Sequence, residues 1–189
     1  MELKDVIHGR RSIRRYIDKP IAQQDIEDIM ELASWAPSGT NLQQWYFIVV
    51  QTKENLEKLG KILDKAHKKA LPFMEKRFAN NPEVITETGD FLRTIGHAPC
   101  CILAFLYKND YEDEIAAIES VSAAMENICL AAYDKGLGTC WMTAPVDVEE
   151  DIQEAFGDGK GRLVGGITLG YADVVPKAPK RKDGRVKYI

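Results

Sequence analysis

Several of the usual single-motif signals of function are missing from this chain. Cysteine is scarce, four in 189 residues, and Cys100, Cys101, Cys129 and Cys140 never fall in a C-x-x-C spacing, which removes ribbon-type zinc and dithiol redox motifs. The adjacent pair lies inside the apolar run "PCCILAFL" and reads as reduced core packing. Histidine is scarcer still. His8, His67 and His97 stand apart from one another and from the cysteines, so no metal is expected. Basic charge is not in excess, with 25 Lys and Arg against 29 Asp and Glu for a net charge of −4, and nucleic acid is not an expected partner. No apolar run reaches the roughly 18 residues of a membrane span. The start "MELKDVIHGRRS" lacks the apolar centre of a signal peptide, so no membrane partner and a cytoplasmic home are expected. No internal repeat is found, and no G-x-G-x-x-G follows a strand pattern, which leaves no sign of a separate dinucleotide domain.

What is present suits one domain over 1–189, with helices packed on a central sheet. Leu3, Val6, Ile7 and Arg10 hold helical spacing, with Gly9 as the stop. Ile26, Ile29, Met30 and Ala33 repeat that spacing, and Pro37 is expected to close the helix because its ring cannot continue it. "WYFIVV" reads as a strand covered on both faces. Lys53 to Leu71 is a helix with Leu56, Leu59, Leu63 and Ala66 on one face and lysines on the other, followed by a charged stretch, 72–95, that reads as helical in pieces. A buried strand spans Pro99 to Leu106. After the acidic connection "KNDYEDE", a helix carries Val121, Ala124, Met125, Ile128 and Ala132 in register and stops near Gly136 and Gly138. "TCWMTAPV" is extended, and Asp147 with Glu150 three residues on predicts a capping box for a helix that closes at Gly157. "RLVGGITLGYA" is a further strand. The tail "VPKAPKRKDGRVKYI" is too polar and proline-broken for core.

Four segments carry groups that suit a ligand. Arg10, Arg11, Ser12, Arg14 and Arg15 crowd six positions, and the same residues serve either as a solvated basic turn or as a phosphate cradle of guanidinium forks and a hydroxyl. "APSGTNLQQW" places Pro37, Ser38 and Asn41 at a helix-to-strand joint, either as a self-satisfied turn or as a ligand edge. "KGLGTCWM" reads as a helix stop, and "PKAPKRK" as a basic end. Composition alone does not choose between these readings.

Taken together and in order, "RRSIRRY", "ASWAPSGTNLQQW", "GLGTCWM" and "GYADVVPKAPKRK" resemble the nitroreductase-like family of FMN-dependent oxidoreductases over nearly the whole chain. The resemblance implies an α+β, three-layer fold with a central, mostly antiparallel sheet, and an intertwined homodimer with FMN between the chains. It implies that Arg10, Arg11 and Ser12 hold the phosphate and ribityl chain. Arg14 would stand beside the pyrimidine edge, where a positive charge favours the anionic reduced ring. Pro37, Ser38 and Asn41 would come from the neighbouring chain, Trp141, Met142 and Thr143 would run past the ring, and Lys180 and Arg181 would close over the phosphate. It further implies NAD(P)H as donor and a flat electrophilic acceptor, with the flavin and no catalytic side chain carrying the chemistry. The chain resembles the compact members, so the acceptor stays open: a nitroaromatic, a quinone or one specialised metabolite. A flavin-binding storage or sensor protein without turnover is the rival from another class.

Overall fold

In the computed structural model, which describes residues 1–107, 114–159 and 161–189, period-two alternation along the strands sets the layers. β1 (Trp45–Val50), β2 (Cys100–Leu106), β3 (Gly138–Met142) and β4 (Arg162–Gly170) form one antiparallel sheet in the order β1-β2-β4-β3. Successive strand side chains point to opposite faces. Ile102, Ala104, Ile167 and Leu169 therefore pack against α2 (Gln23–Ala33) and α5 (Glu114–Asp134), while Cys101, Leu103, Phe105, Cys140 and Leu163 pack against α3 (Lys53–Arg77), α4 (Glu83–Thr94) and α6 (Glu149–Phe156). The three layers and the α+β class are those expected. α5 is apolar on nearly all sides. By length and composition it is one helix among the described residues that could cross a bilayer, yet half of its apolar window is buried inside the fold. Val121, Met125 and Ile128 on it are fully buried, each contributing about 1.5–3 kcal/mol on an area basis.

Beyond α1 (Leu3–Gly9), the chain crosses the sheet end marked by Gly138 and Gly170. Ser12 bridges Thr139, the Ile13 N–H donates to the Thr139 carbonyl at 2.8 Å, Tyr16 bridges Ala172, and the Ile17 N–H donates to the Tyr171 carbonyl at 3.0 Å. These contacts tie the arginine-rich segment to β3 and to the exit of β4.

Several local expectations change. α2 stops at Ala33, not at Pro37: the Ser34 hydroxyl donates to the Glu31 carbonyl at 2.6 Å, and Ser34, Trp35 and Ala36 tighten into three-residue turns. Proline disfavours helical backbone only in the residue before it, Ala36; the tightened turn ends the helix three residues sooner. α3 runs through the exposed Pro72 to Arg77, held by buried Ala66 and Met74 on either side of it; tertiary anchoring outweighs the lost backbone bond. Asp147 is not an N-cap. It lies in a short 3-10 turn, Ala144–Val148, and α6 begins after Val148 without a side-chain cap. The Glu149 carboxylate instead accepts from the Leu163 N–H at 2.7 Å, joining α6 to β4. β1 is an edge strand and, apart from Val50, is half-buried instead of covered on both faces. Leu3 and Ile7 of α1 are 66% and 50% exposed, leaving Val6 as the buried member of that face. Of the acidic connection expected over 108–114, residues 108–113 lie outside the described residues and Glu114 begins α5.

Candidate functional site

The four arginines reach four different settings. Arg10 caps α1 and lies half-buried, its Nε 3.9 Å from Glu126 Oε1. Arg11 folds back and donates to the His8 and Arg10 carbonyls at 2.7 Å each, covering the helix end. Arg15 pairs with Asp173 at 3.1 Å. Arg14 is exposed and has no ion pair among the described residues. Between them, Ser12 is half-buried beside Thr139. The field of this cluster reaches the sheet: burial pushes the Cys140 thiol up, while Arg14 and Arg10 pull it the other way. Burial likewise pushes Cys129 up to about 11, with a hydrogen bond from Thr139 and Arg10 opposing. All four cysteines are free and buried. Cys100, pushed up to about 12 by burial, shares that protonated, unreactive state at neutral pH. Among the described residues no cluster of His, Cys, Asp and Glu is placed to hold a metal ion.

The Pro37 to Asn41 stretch is a strained loop. Thr40, Asn41 and Gln43 all adopt left-handed backbone, with φ of 49°, 58° and 48°, conformations that persist where the surroundings over-determine them. The Gly39 N–H donates to Ser120 Oγ at 3.2 Å, the Gln43 N–H donates to Ser38 Oγ at 3.0 Å, and the Gln43 amide donates to Asn41 Oδ1 at 3.0 Å. Pro37 and Asn41 are exposed and Ser38 half-buried. Ser120 escaped the sequence reading, although a hydroxyl within the apolar register of α5 was the available signal; it also donates to the Ala116 carbonyl at 2.8 Å.

On β3, Thr139 turns its carbonyl outward to Ile13, so by antiparallel alternation Trp141 also directs its backbone groups to the outer edge, whereas Thr143 lies past the strand and its carbonyl accepts from the Val146 N–H at 3.0 Å. Met142 faces β4, and its side chain is buried in the core beneath α3 and α6. Lys180 and Arg181 are exposed in the tail, whose root is held beside the arginines by the Asp173 N–H donating to the Arg15 carbonyl at 3.0 Å.

These groups do not converge within one chain. The loop adjoins the Trp45 end of β1, paired with Leu106, whereas the arginine segment lies against Thr139 on β3, near the opposite sheet end where Gly138 pairs with Gly170. Three strand spacings across the sheet are about 14 Å, and the space between is filled by fully buried Ile102, Ala104, Ile167, Val121 and Met125. The cleft beside the arginines, lined by Gly9, Arg10, Arg11, Ile13, Thr139 and Ala172 among others, measures about 220 Å³, below the roughly 300–1,000 Å³ of sites that enclose a whole ligand of cofactor size. Guanidinium and hydroxyl donors suit a phosphate ester. The set fits the phosphate end of FMN.

The profile of the nitroreductase family matches residues 7–171. A protein of Bacillus subtilis (strain 168), provisionally named NAD(P)H nitroreductase YfhC, is 28% identical over 98% of this chain and 92% of its own length. The iodotyrosine deiodinase of Thermotoga neapolitana is 26% identical over 95% of this chain and 94% of its own length. Among solved structures, the FMN-dependent nitroreductase of Clostridium difficile R20291 superposes with a TM-score of 0.74 at 26% identity, covering 98% of both chains.

Proposed function

This chain belongs to the nitroreductase family, and we propose that it is an FMN-dependent NAD(P)H oxidoreductase, a single domain over 1–189 working as a homodimer in the cytoplasm. The observation that carries the reading is the separation just described. Arg10, Arg11, Ser12 and Arg14 stand at one sheet edge and Pro37, Ser38 and Asn41 at the other, and two copies side by side would bring both sets to one ligand. When bound, FMN supplies hydride transfer, and the protein supplies binding, orientation and electrostatics.

In this reading Arg10, Arg11 and Ser12 bind the phosphate end, and Lys180 and Arg181 add cations to it. Arg14 brings an unpaired positive charge to the polar ring edge, where it favours electron uptake. Of the Trp141 to Thr143 stretch, Trp141 offers outward backbone groups of β3 as fixed hydrogen-bonding partners. The loop of a second copy presents Ser38 and Asn41, held in position by strain and by the Ser120 contact. Donor and acceptor share one open face, since nothing in the chain resembles a second nucleotide domain, so NAD(P)H leaves before a flat acceptor such as a nitroaromatic or a quinone enters.

Three readouts test this together. Anaerobic NAD(P)H should bleach the bound flavin, an added quinone such as menadione should restore its colour, and steady-state double-reciprocal lines should be parallel. A flavin that stays oxidised supports storage or sensing without turnover. Intersecting lines would defeat the single-face scheme. The deiodinase among the relatives favours one specialised alternative, reductive dehalogenation of a halophenol, which release of halide under the same conditions would reveal.

A further inference from the structure

We propose that Gly96 and Tyr16 are positioning residues for Arg14: together they clamp the backbone on both sides of an exposed guanidinium that has no ion pair among the described residues. The proposal rests on the assignment of Arg14 to the cofactor.

Ile95, Gly96 and His97 are three successive left-handed residues, with φ of 49°, 64° and 61°. Ile95 is 2% exposed and β-branched, and such a residue in that region is an outlier that only surrounding contacts sustain. Those contacts lead to the arginine segment. The Gly96 carbonyl accepts from the Tyr16 N–H at 3.0 Å, and the Gly96 N–H donates to Thr94 Oγ1 at 3.2 Å. A Cβ on Gly96 would fall inside contact distance of the Arg14 carbonyl. Glycine is thus required twice at this point, for the backbone conformation and for the approach of two main chains.

Tyr16 closes the other side. Its ring is 5% exposed. The phenol donates to the Ile13 carbonyl at 2.7 Å and shares a second 2.7 Å hydrogen bond with the Thr168 hydroxyl on β4, where Thr168 is fully buried. Ile13 is also held through its N–H by Thr139, and the Arg15 carbonyl by the Asp173 N–H. Backbone groups on every residue around Arg14 are therefore fixed, while its side chain stays exposed. Arg10, Arg11 and Arg15 each have a partner within the chain, in Glu126, the end of α1 and Asp173. With the backbone already fixed, only the Arg14 side chain is left to be ordered when a ligand binds.

The test compares Gly96→Ala, Tyr16→Phe and Arg14→Gln, singly and with each clamp variant added to Arg14→Gln. Each is loaded with FMN, and the dissociation constant of FMN, the midpoint potential of the bound FMN and the thermal midpoint are measured. Positioning requires that Gly96→Ala and Tyr16→Phe shift the potential downward, as Arg14→Gln does, and that neither adds a further shift in the Arg14→Gln background. A lower thermal midpoint with an unchanged potential would reduce both residues to structural supports and overturn the proposal. A wild-type potential in Arg14→Gln would also overturn it, by removing Arg14 from the ring edge; continued FMN binding in that variant leaves the family reading intact. Loss of FMN binding by the wild-type dimer itself would be the separate failure of that reading. Should Gly96→Ala not fold, Tyr16→Phe, which deletes one hydroxyl, decides alone.

Discussion

Arg10 keeps its charge available because its partner is weak. A pair at 3.9 Å between a half-buried guanidinium and a half-exposed Glu126 is worth about 0–1 kcal/mol, well below a charge-assisted bond to a phosphate at roughly 1.5–3 kcal/mol. On the proposed assignment, a bound phosphate would therefore win the guanidinium from Glu126. Arg10→Glu should lose that bond and set two carboxylates side by side, weakening FMN binding tenfold or more on a scale of about 1.4 kcal/mol per decade. Titration of apoprotein with FMN measures it, and unchanged affinity would remove Arg10 from the phosphate site. Arg11 contrasts with it. A single nitrogen of it, Nη1, covers two carbonyls at the end of α1, a structural duty that the sequence reading did not foresee beside its proposed place at the phosphate.

Between elements, two contacts decide how the layers hold. Lys135, just beyond α5, donates to Asp25 and Asp28 of α2 at 2.8 and 2.7 Å. The hydrogen bond to Asp25, then that to Asp28, raises the Lys135 pKa above 10.5, and the bond from Lys135 lowers that of Asp28 below 3.8. The lowered carboxylate stabilises the fold above its ordinary pKa and loses that contribution as pH falls through the folded value. The raised ammonium stabilises it below 10.5 and loses that contribution as pH rises through its folded value. Lys135→Met should therefore lower the thermal midpoint by a constant amount across neutral pH. The gap to wild type should close at both extremes; a gap that grows in acid would show that another interaction is responsible. On the other face, Gly60 lets α3 approach α4, since a Cβ there would meet the Arg93 main-chain carbonyl. Alanine would gain about 1 kcal/mol of helix propensity, but overpacking against backbone costs about 1–3 kcal/mol and cannot be relieved by a rotamer change. Gly60→Ala should thus lower the thermal midpoint, and a higher one would show that the two helices have room to part.

At the scale of the molecule, apolar groups stay uncovered in one chain. Leu3 at 66%, Trp35 at 76% and Ile115 at 70% exposure lie on α1, just past α2 and at the start of α5. In the proposed dimer, a second copy would cover these surfaces and complete the cofactor site. Binding that requires both chains links assembly to FMN by mass action, adding about 2.7 kcal/mol of stability at a free ligand concentration one hundred times the dissociation constant. The FMN-loaded protein should sediment as a dimer, and its thermal midpoint should rise with protein concentration. A monomer retaining stoichiometric FMN would refute the composite site.

The sequence by itself determined the layers. Even and odd positions of "CCILAFL" separate onto the two sheet faces as the period-two rule requires, and Val121, Ala124, Met125, Ile128 and Ala132 of α5 are all buried as their spacing foretold. Periodicity encodes which side of an element is buried, because that depends on neighbours along the chain. It says nothing of which element does the burying. Only the tertiary structure decided that "WYFIVV" forms an edge, that α3 continues past Pro72, that Glu149 and not Asp147 makes the useful bond, and that Gly96 meets Arg14 across 82 positions of chain. Placing the arginines and the Pro37 loop on opposite sheet edges was of the same kind: strand order arises from pairings between segments far apart in sequence, and no local pattern records it.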